Sequence, residues 1–369
     1  MIDAFLILFT DQTQSKDTPF PLGVAKRFWT WVQSCHVRLS RLLIKLTQGS
    51  HNALFQAKLS IVIHTLTLNP ALDLTYIVDA FKEDDSTRAH TVYRSPGGKG
   101  INVARVATRL KHPNVALGFI AGTTGLEVTQ LLEAEGVNTW FTPVDGVTRT
   151  NPILQDKLGH QIRVSAPGPQ ANLREVESLW ESVFVLREPD FLLASGSKLL
   201  GVPENFYPRV LIEAKKRGIK TVVDADGGEL ERGIRTGAYL VKPNKHELKR
   251  FVGRDLTSIS EVIEAAREMI QAGVTVVAAS LGPDGALYIT SDQAFRAVPP
   301  KIEVASAVGA GDSFLAGLLV KLSEGSPPLE ALKFAVACGT ATATIPGTQL
   351  CTLDRILEIL PDVQTEDLS

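Results

Sequence analysis

Near the carboxyl end the chain reads Val308-Gly309-Ala310-Gly311-Asp312-Ser313 and runs directly into Phe314-Leu315-Ala316-Gly317-Leu318-Leu319. Glycines on either side of a small residue let backbone N–H groups crowd round an anion, and a helix starting here turns its positive end to the same point. The pattern fits an anion hole for a transferring phosphoryl group, built by Gly309, Ala310 and Gly311. Asp312, in the first helical turn, is placed to accept the proton of an attacking hydroxyl. The helix end is expected to hold that carboxylate's pKa low. A weak base suffices, because a loose phosphoryl-transfer transition state keeps the hydroxyl proton until late. Read alone, the run is also compatible with a glycine-rich turn followed by a helix with an acid near its start.

A second glycine run, Ser95-Pro96-Gly97-Gly98-Lys99-Gly100-Ile101-Asn102, opens a helix with Val103, Ala107 and Leu110 on one face. Its glycines let a ligand approach the backbone, and Lys99 and Asn102 can reach sugar oxygens or a phosphate. It lacks the G-x-x-x-x-G-K-[ST] order of a Walker loop, and Val103 stands where a dinucleotide fingerprint needs its third glycine. That substitution argues against a dinucleotide-dependent oxidoreductase. Upstream, Thr67-Leu68-Asn69-Pro70-Ala71-Leu72-Asp73 is expected to end the first strand, where the Asp73 carboxylate could accept from two sugar hydroxyls or simply form a turn. Arg149 lies in the polar run Thr148-Arg149-Thr150-Asn151, and Arg88 and Arg94 lie in another turn-rich stretch; guanidinium forks bind phosphate through paired hydrogen bonds.

In Val241-Lys242-Pro243-Asn244-Lys245-His246-Glu247-Leu248, Asn244 and Glu247 have the spacing of N-cap and N3 in a capping box. The same two side chains could hold water around Mg²⁺ on a nucleotide, since that ion keeps several waters and takes few protein ligands. Ser280-Leu281-Gly282-Pro283-Asp284-Gly285-Ala286 follows an apolar run and begins a hairpin, so it either holds nucleotide or only turns the chain.

These residues need a scaffold, and the sequence from Leu59 onward supplies a regular one. Strand-like runs at Leu59 to Leu66, Val115 to Ile120, Asp190 to Leu193, Lys220 to Val223 and Thr275 to Ala279 alternate with helix-like stretches such as Glu204 to Arg217 and Ile259 to Ala272. Such alternation predicts an α/β fold with a mostly parallel sheet, whose ligands bind beyond the carboxyl ends of the strands. Residues 75–94 and 148–164 instead show short alternating runs with turn residues, the pattern of an inserted β lid. With 369 residues and 44% hydrophobic composition the core can be large. A net charge of −2 gives no nucleic-acid footprint. Cys35, Cys338 and Cys351 form no CxxC pair, so a reducing, cytoplasmic setting without a structural metal is expected. The apolar run Ala4 to Phe9 is too short to span a bilayer.

Residues 1–58 stand apart. Between Asp17 and Asp73 there is no acidic residue, while basic side chains alternate with Phe28, Trp29, Trp31 and several leucines. Residues 24–46 therefore read as a basic amphipathic segment suited to weak contact with an anionic membrane surface or to organelle targeting, or as an appended stretch without a role.

Taken together and in this order, NPALD, GGKGIN, TRTN, GPQ, ASGS, KPNKHEL, SLGPDGA and VGAGDS resemble the PfkB (ribokinase-like) carbohydrate kinases, in their phosphofructokinase and tagatose-phosphate kinase branch. The resemblance covers about Leu59 to the carboxyl terminus. It implies a three-layer α/β/α sandwich with a small β-sheet lid, often shared between two subunits as a homodimer. It implies transfer from ATP with Mg²⁺ to a small sugar phosphate, with Asp312 as base and Gly309 to Gly311 as anion hole. Asp73, Gly98, Lys99, Asn102 and Arg149 would contact the sugar phosphate; Gly97, within the same glycine run, and Arg88, by its residue type, are further candidates. Asn244 and Glu247 would serve Mg-ATP, the metal through water, with Ser280, Gly282 and Gly285 as nucleotide loop and Gly339 lining the adenine pocket. Fructose 1-phosphate is the expected acceptor, with the 6-phosphofructokinase and tagatose-6-phosphate kinase activities of the same family as alternatives. A non-catalytic sugar-phosphate sensor is the more distant one. Where the family usually has Gly-Ser-Leu-Pro, this chain has Gly196-Ser197-Lys198-Leu199, and Ala166 replaces an acidic residue often found before Pro-Gly-Pro.

Overall fold

Uncharged runs such as Phe191-Leu192-Leu193-Ala194-Ser195 are buried along their whole length, as a strand covered on both faces must be. The computed structural model describes residues 62–81, 85–157, 160–185 and 190–369. The basic segment expected over 24–46 lies outside them. From Ile61 onward the chain forms one unit.

Ten strands make the central sheet: β1 (Ile63–Thr67), β4 (Asn114–Ile120), β5 (Thr139–Pro143), β8 (Phe191–Ser195), β9 (Lys220–Asp224), β10 (Leu240–Val241), β11 (Val276–Ser280), β12 (Ala286–Ile289), β13 (Ala294–Val298) and β14 (Gln364–Asp367). Their order is β14-β13-β12-β11-β10-β9-β8-β1-β4-β5. Pairing is parallel from β11 to β5 and antiparallel from β11 to β14. One face packs on α3 (Leu173–Val185), α4 (Phe206–Lys216), α5 (Gly228–Arg235), α6 (Lys245–Val252) and α7 (Ile259–Gln271) through a core that includes Leu179, Phe206, Ile234 and Met269. The other packs on α1 (Lys99–Arg109), α8 (Ala310–Ser323), α9 (Pro328–Ala343) and α10 (Leu353–Ile359) through Val103, Leu315, Leu318 and Ile356. Helix α2 (Gly122–Ala134) closes a smaller cluster with Ile101 and Leu132. The layers are therefore helix, sheet, helix.

A second sheet of order β3-β2-β6-β7 is built from β2 (Ala71–Val78), β3 (Ala89–Gly97), β6 (Arg149–Gln155) and β7 (Gln161–Arg163). It begins at Ala71, so Asp73 sits inside this lid sheet and not at the end of β1 as the sequence had indicated. Pro70 cannot donate a ladder hydrogen bond, so β1 stops at Thr67 and the chain starts afresh in the other sheet. Asp73 is then in register with Ser95 on one side and Asn151 on the other.

Candidate active site

Two helix N-termini meet where β1, β8 and β9 end. Gly309 adopts a left-handed φ of 79° ahead of α8, and a Cβ there would lie 2.6 Å from Leu350 Cδ2, so glycine is required twice over. Helix α8 is buried on nearly all sides, which fixes the direction of its positive end. Asp312, in its first turn, accepts a 2.8 Å hydrogen bond from Asn102 Nδ2 on α1. Asn102 is itself oriented by Arg105, whose guanidinium is forked on Glu135. The two glycine runs, more than 200 residues apart, thus share one side-chain hydrogen bond.

Behind this pair sits Asp224, the last residue of β9, fully buried. Its Oδ1 accepts from Lys99 Nζ at 2.8 Å and faces Lys242 Nζ at 3.4 Å, while Oδ2 is buried without a partner. Burial would raise its pKa, but the two lysines more than offset this and hold it below the ordinary carboxylate value. Lys99 is shifted upward, because Asp224 outweighs the opposing effect of burial. Lys242 Nζ also lies 3.5 Å from where a Cβ on Gly311 would stand. The Asp312 carboxyl is pushed up to about 6, first by burial and then by the negative charge of Asp224, against the lowering effects of Asn102, Lys99 and Lys242. This overturns the expectation of a low pKa: desolvation and a neighbouring carboxylate dominate the helix end.

On the lid side, Asp73 is buried and accepts 2.8 Å from Asn151 Nδ2, with its pKa raised by burial. A Cβ on Gly97 would stand 2.6 Å from Asp73 Cγ, so this glycine makes room for the carboxylate. Arg149 donates to two backbone carbonyls, Asn69 O at 2.9 Å and Ala166 O at 3.2 Å, and its Nε is buried without a partner. Burial lowers its pKa. Two neutral carbonyls tether this guanidinium, and the Asp73 carboxylate favours its charged form. Arg163, at the end of β7, faces a cleft of about 290 Å³ together with Gly98, Lys99, Asn102, Val308, Gly309 and Asp312.

Asn244 and Glu247 form a complete capping box for α6, with Glu247 N donating to Asn244 Oδ1 at 2.9 Å and Asn244 N to Glu247 Oε2 at 2.8 Å. Burial raises the Glu247 pKa. Asn244 also pairs across to Ser280, which ends β11, and Gly282 and Gly285 bound the one-turn 3₁₀ helix that follows. A Cβ on Gly285 would lie 2.0 Å from Ala297 O, so that glycine closes the hairpin. Gly339 packs α9 on the start of α8, 3.0 Å from Ala310 O by the same measure.

Two arginines are not brought together with the rest. Arg88 is exposed just before β3, whose far end carries Gly97, roughly 30 Å away along an extended strand. Arg94 is forked on Glu127 at the surface. Lys99, expected to contact the sugar phosphate, lines the cleft with Arg163 and is also paired with Asp224. Sequence reasoning missed Asp224, Lys242 and Arg163. Asp224 follows an apolar Val-Val run at a strand's carboxyl end, the one signal that could have marked it.

Buried charge, two helix N-termini and a cleft beside the second sheet thus come together at the carboxyl ends of the parallel strands. The model of the pfkB family of carbohydrate kinases matches residues 66–355, and the chain belongs to that family. It is 33% identical over 307 residues to the 1-phosphofructokinase of Bacillus subtilis strain 168, covering 83% of this chain and 100% of that one. It is 36% identical over 300 residues to the ATP-dependent 6-phosphofructokinase isozyme 2 of Escherichia coli strain K12, covering 80% and 97%. The crystal structure of Escherichia coli phosphofructokinase-2 in complex with substrates and products is similar at TM-score 0.79 and 35% identity, covering 82% of this chain and 99% of that chain. Among the described residues no helix is long and apolar enough to cross a membrane.

Proposed function

We propose that this enzyme transfers the γ-phosphoryl group of ATP to the free primary hydroxyl of fructose 1-phosphate, giving fructose 1,6-bisphosphate. The carrying observation is the Asn102–Asp312 contact at the meeting of two helix N-termini, backed by two lysines on one buried carboxylate. Asp312 orients the hydroxyl and takes its proton late. Backbone N–H groups of Gly309 to Gly311 face the transferring group, and Lys99 and Lys242 offset its charge. Asp73 receives sugar hydroxyls, while Arg149 and Arg163 hold the phosphate already on the sugar. The lid sheet excludes water over the cleft.

Asn244 and Glu247 serve the nucleotide side, with the 280–285 turn beneath it. The donor set fits Mg²⁺: Asp224 has an unpartnered buried oxygen, Glu247 is a second carboxylate, and this ion takes one or two carboxylates with substrate phosphates and waters. Bound there, Mg²⁺ would neutralise negative charge on the phosphates during transfer. Among the described residues no group of three or more His, Cys, Asp or Glu forms a protein-only cage. We place the enzyme in the cytoplasm as a homodimer joined through the lid, whose Val92, Ile162 and Val164 are exposed apolar residues. Arg88 would reach a site only in such a dimer.

ADP release measured with fructose 1-phosphate, fructose 6-phosphate, tagatose 6-phosphate and fructose tests the acceptor. Highest kcat/KM with fructose 1-phosphate is expected. Turnover with unphosphorylated fructose alone would overturn the roles of Arg149 and Arg163.

A further inference from the structure

Arg149 owes its place to Asn69, and Asn69 is held by a loop in which this chain departs from the usual family sequence. Asn69 O accepts from Arg149 NH2 at 2.9 Å, while the Asn69 side-chain amide donates to Ser197 Oγ at 3.3 Å and to Lys198 O at 3.4 Å. Asn69 is also pressed against the loop carrying the other tether: a Cβ on Gly168 would stand 2.4 Å from Asn69 Oδ1, and Ala166 O is the second acceptor for Arg149. The Lys198 side chain does not turn toward the cleft. Its Nζ is 2.6 Å from Glu229 Oε1 on α5, with side chains only 14% and 11% exposed. Arg232 meets the same oxygen at 2.9 Å.

We propose that Lys198, clamped by Glu229, is a positioning residue for the acceptor's phosphate: it fixes the loop on which Asn69 rests, and Asn69 sets the reach of Arg149. The ion pair ties this loop to α5 through a side chain. A partly buried pair holds its geometry more firmly than a surface one, because both chains are confined by packing. The coupling runs through a contiguous set of contacts: Glu229, Lys198, Asn69, Arg149. The proposal rests on the reading of Arg149 as the phosphate fork.

The full chain is assayed for kcat, KM for its preferred fructose monophosphate and KM for ATP. Lys198→Met is expected to raise the sugar-phosphate KM about fivefold with kcat and the ATP KM within about twofold, and Lys198→Arg to restore it. Added to Arg149→Met, Lys198→Met is expected to have no further effect. An equal effect in both backgrounds, or a matching rise in the ATP KM, would overturn the proposal. Asn69→Ala breaks the middle link and leaves the ion pair intact, so it must reproduce the KM rise; an unchanged KM in a folded Asn69→Ala protein also overturns it. A raised KM in Arg149→Met with none in Lys198→Met leaves the phosphate fork standing and removes only Lys198 from it. An unchanged KM in Arg149→Met removes the fork itself.

Discussion

Replacing Asp312 by Asn is expected to abolish turnover and at the same time make the fold more stable at neutral pH. Burial and Asp224 raise this carboxyl from 3.8 to about 6, so its ionised form is disfavoured in the folded protein. At about 1.4 kcal/mol per pH unit that rise corresponds to an upper bound of about 3 kcal/mol of stability forgone at pH 7. A group whose folded pKa is raised contributes stability below its unfolded pKa, here 3.8, and that contribution is lost as pH climbs through about 6. Asparagine keeps the shape and an oxygen for Asn102 but carries no charge beside Asp224. Urea unfolding followed by circular dichroism at pH 7 and again near pH 4 tests this. The Asn variant should gain on the order of 2 kcal/mol at pH 7, and the gain should fade toward pH 4. ADP release should drop at least a hundredfold, with ATP affinity within about threefold. A variant less stable than the parent at pH 7, or a gain that does not vary with pH, would refute the electrostatic account; near-normal turnover would refute the role of Asp312.

In the parent enzyme kcat/KM should rise with pH through about 6 as Asp312 ionises, and a profile flat from pH 5 to 8 would contradict that. Asp224→Asn should lower activity at least a hundredfold, since Lys99 and Lys242 lose the carboxylate that aims them, and thermal melting should show a loss of about 3 kcal/mol from two lysines left without it. Arg149→Met should raise KM for the sugar phosphate roughly ten- to hundredfold with KM for ATP unchanged, as removal of a charge-assisted phosphate contact does. Gly97→Ala pushes a methyl group to within 2.6 Å of Asp73 Cγ and should raise the acceptor's KM severalfold while leaving the KM for ATP unchanged. Equal effects on the KM for ATP would count against placing Asp73 on the acceptor side.

Most of the scaffold was legible because its signals are local. The apolar strand runs, the Asn244–Glu247 capping box and the glycines before α1 and α8 each follow from a few adjacent residues, and the structure shows the elements they announce. The start of the lid was misread by a few residues because Asp73 looks like a strand end, whereas it is paired on both sides within β2. Arg88 qualifies as a site residue by type alone. Its position at the remote end of a long hairpin depends on strand pairing, which residue type does not encode.

The sequence by itself determined that two glycine-rich helix starts, a lid and an acid in the first turn of α8 would be present, because backbone conformation and helix polarity are set by neighbouring residues. Tertiary structure alone decided that Asn102 would meet Asp312, that Asp224 would gather Lys99 and Lys242, and that the pKa of Asp312 would go up instead of down. The physical reason is range. A helix end acts on its own first turn, but desolvation and the charge of Asp224 reach Asp312 from strands and helices that only the folded sheet brings within a few ångströms, and here they outweigh it.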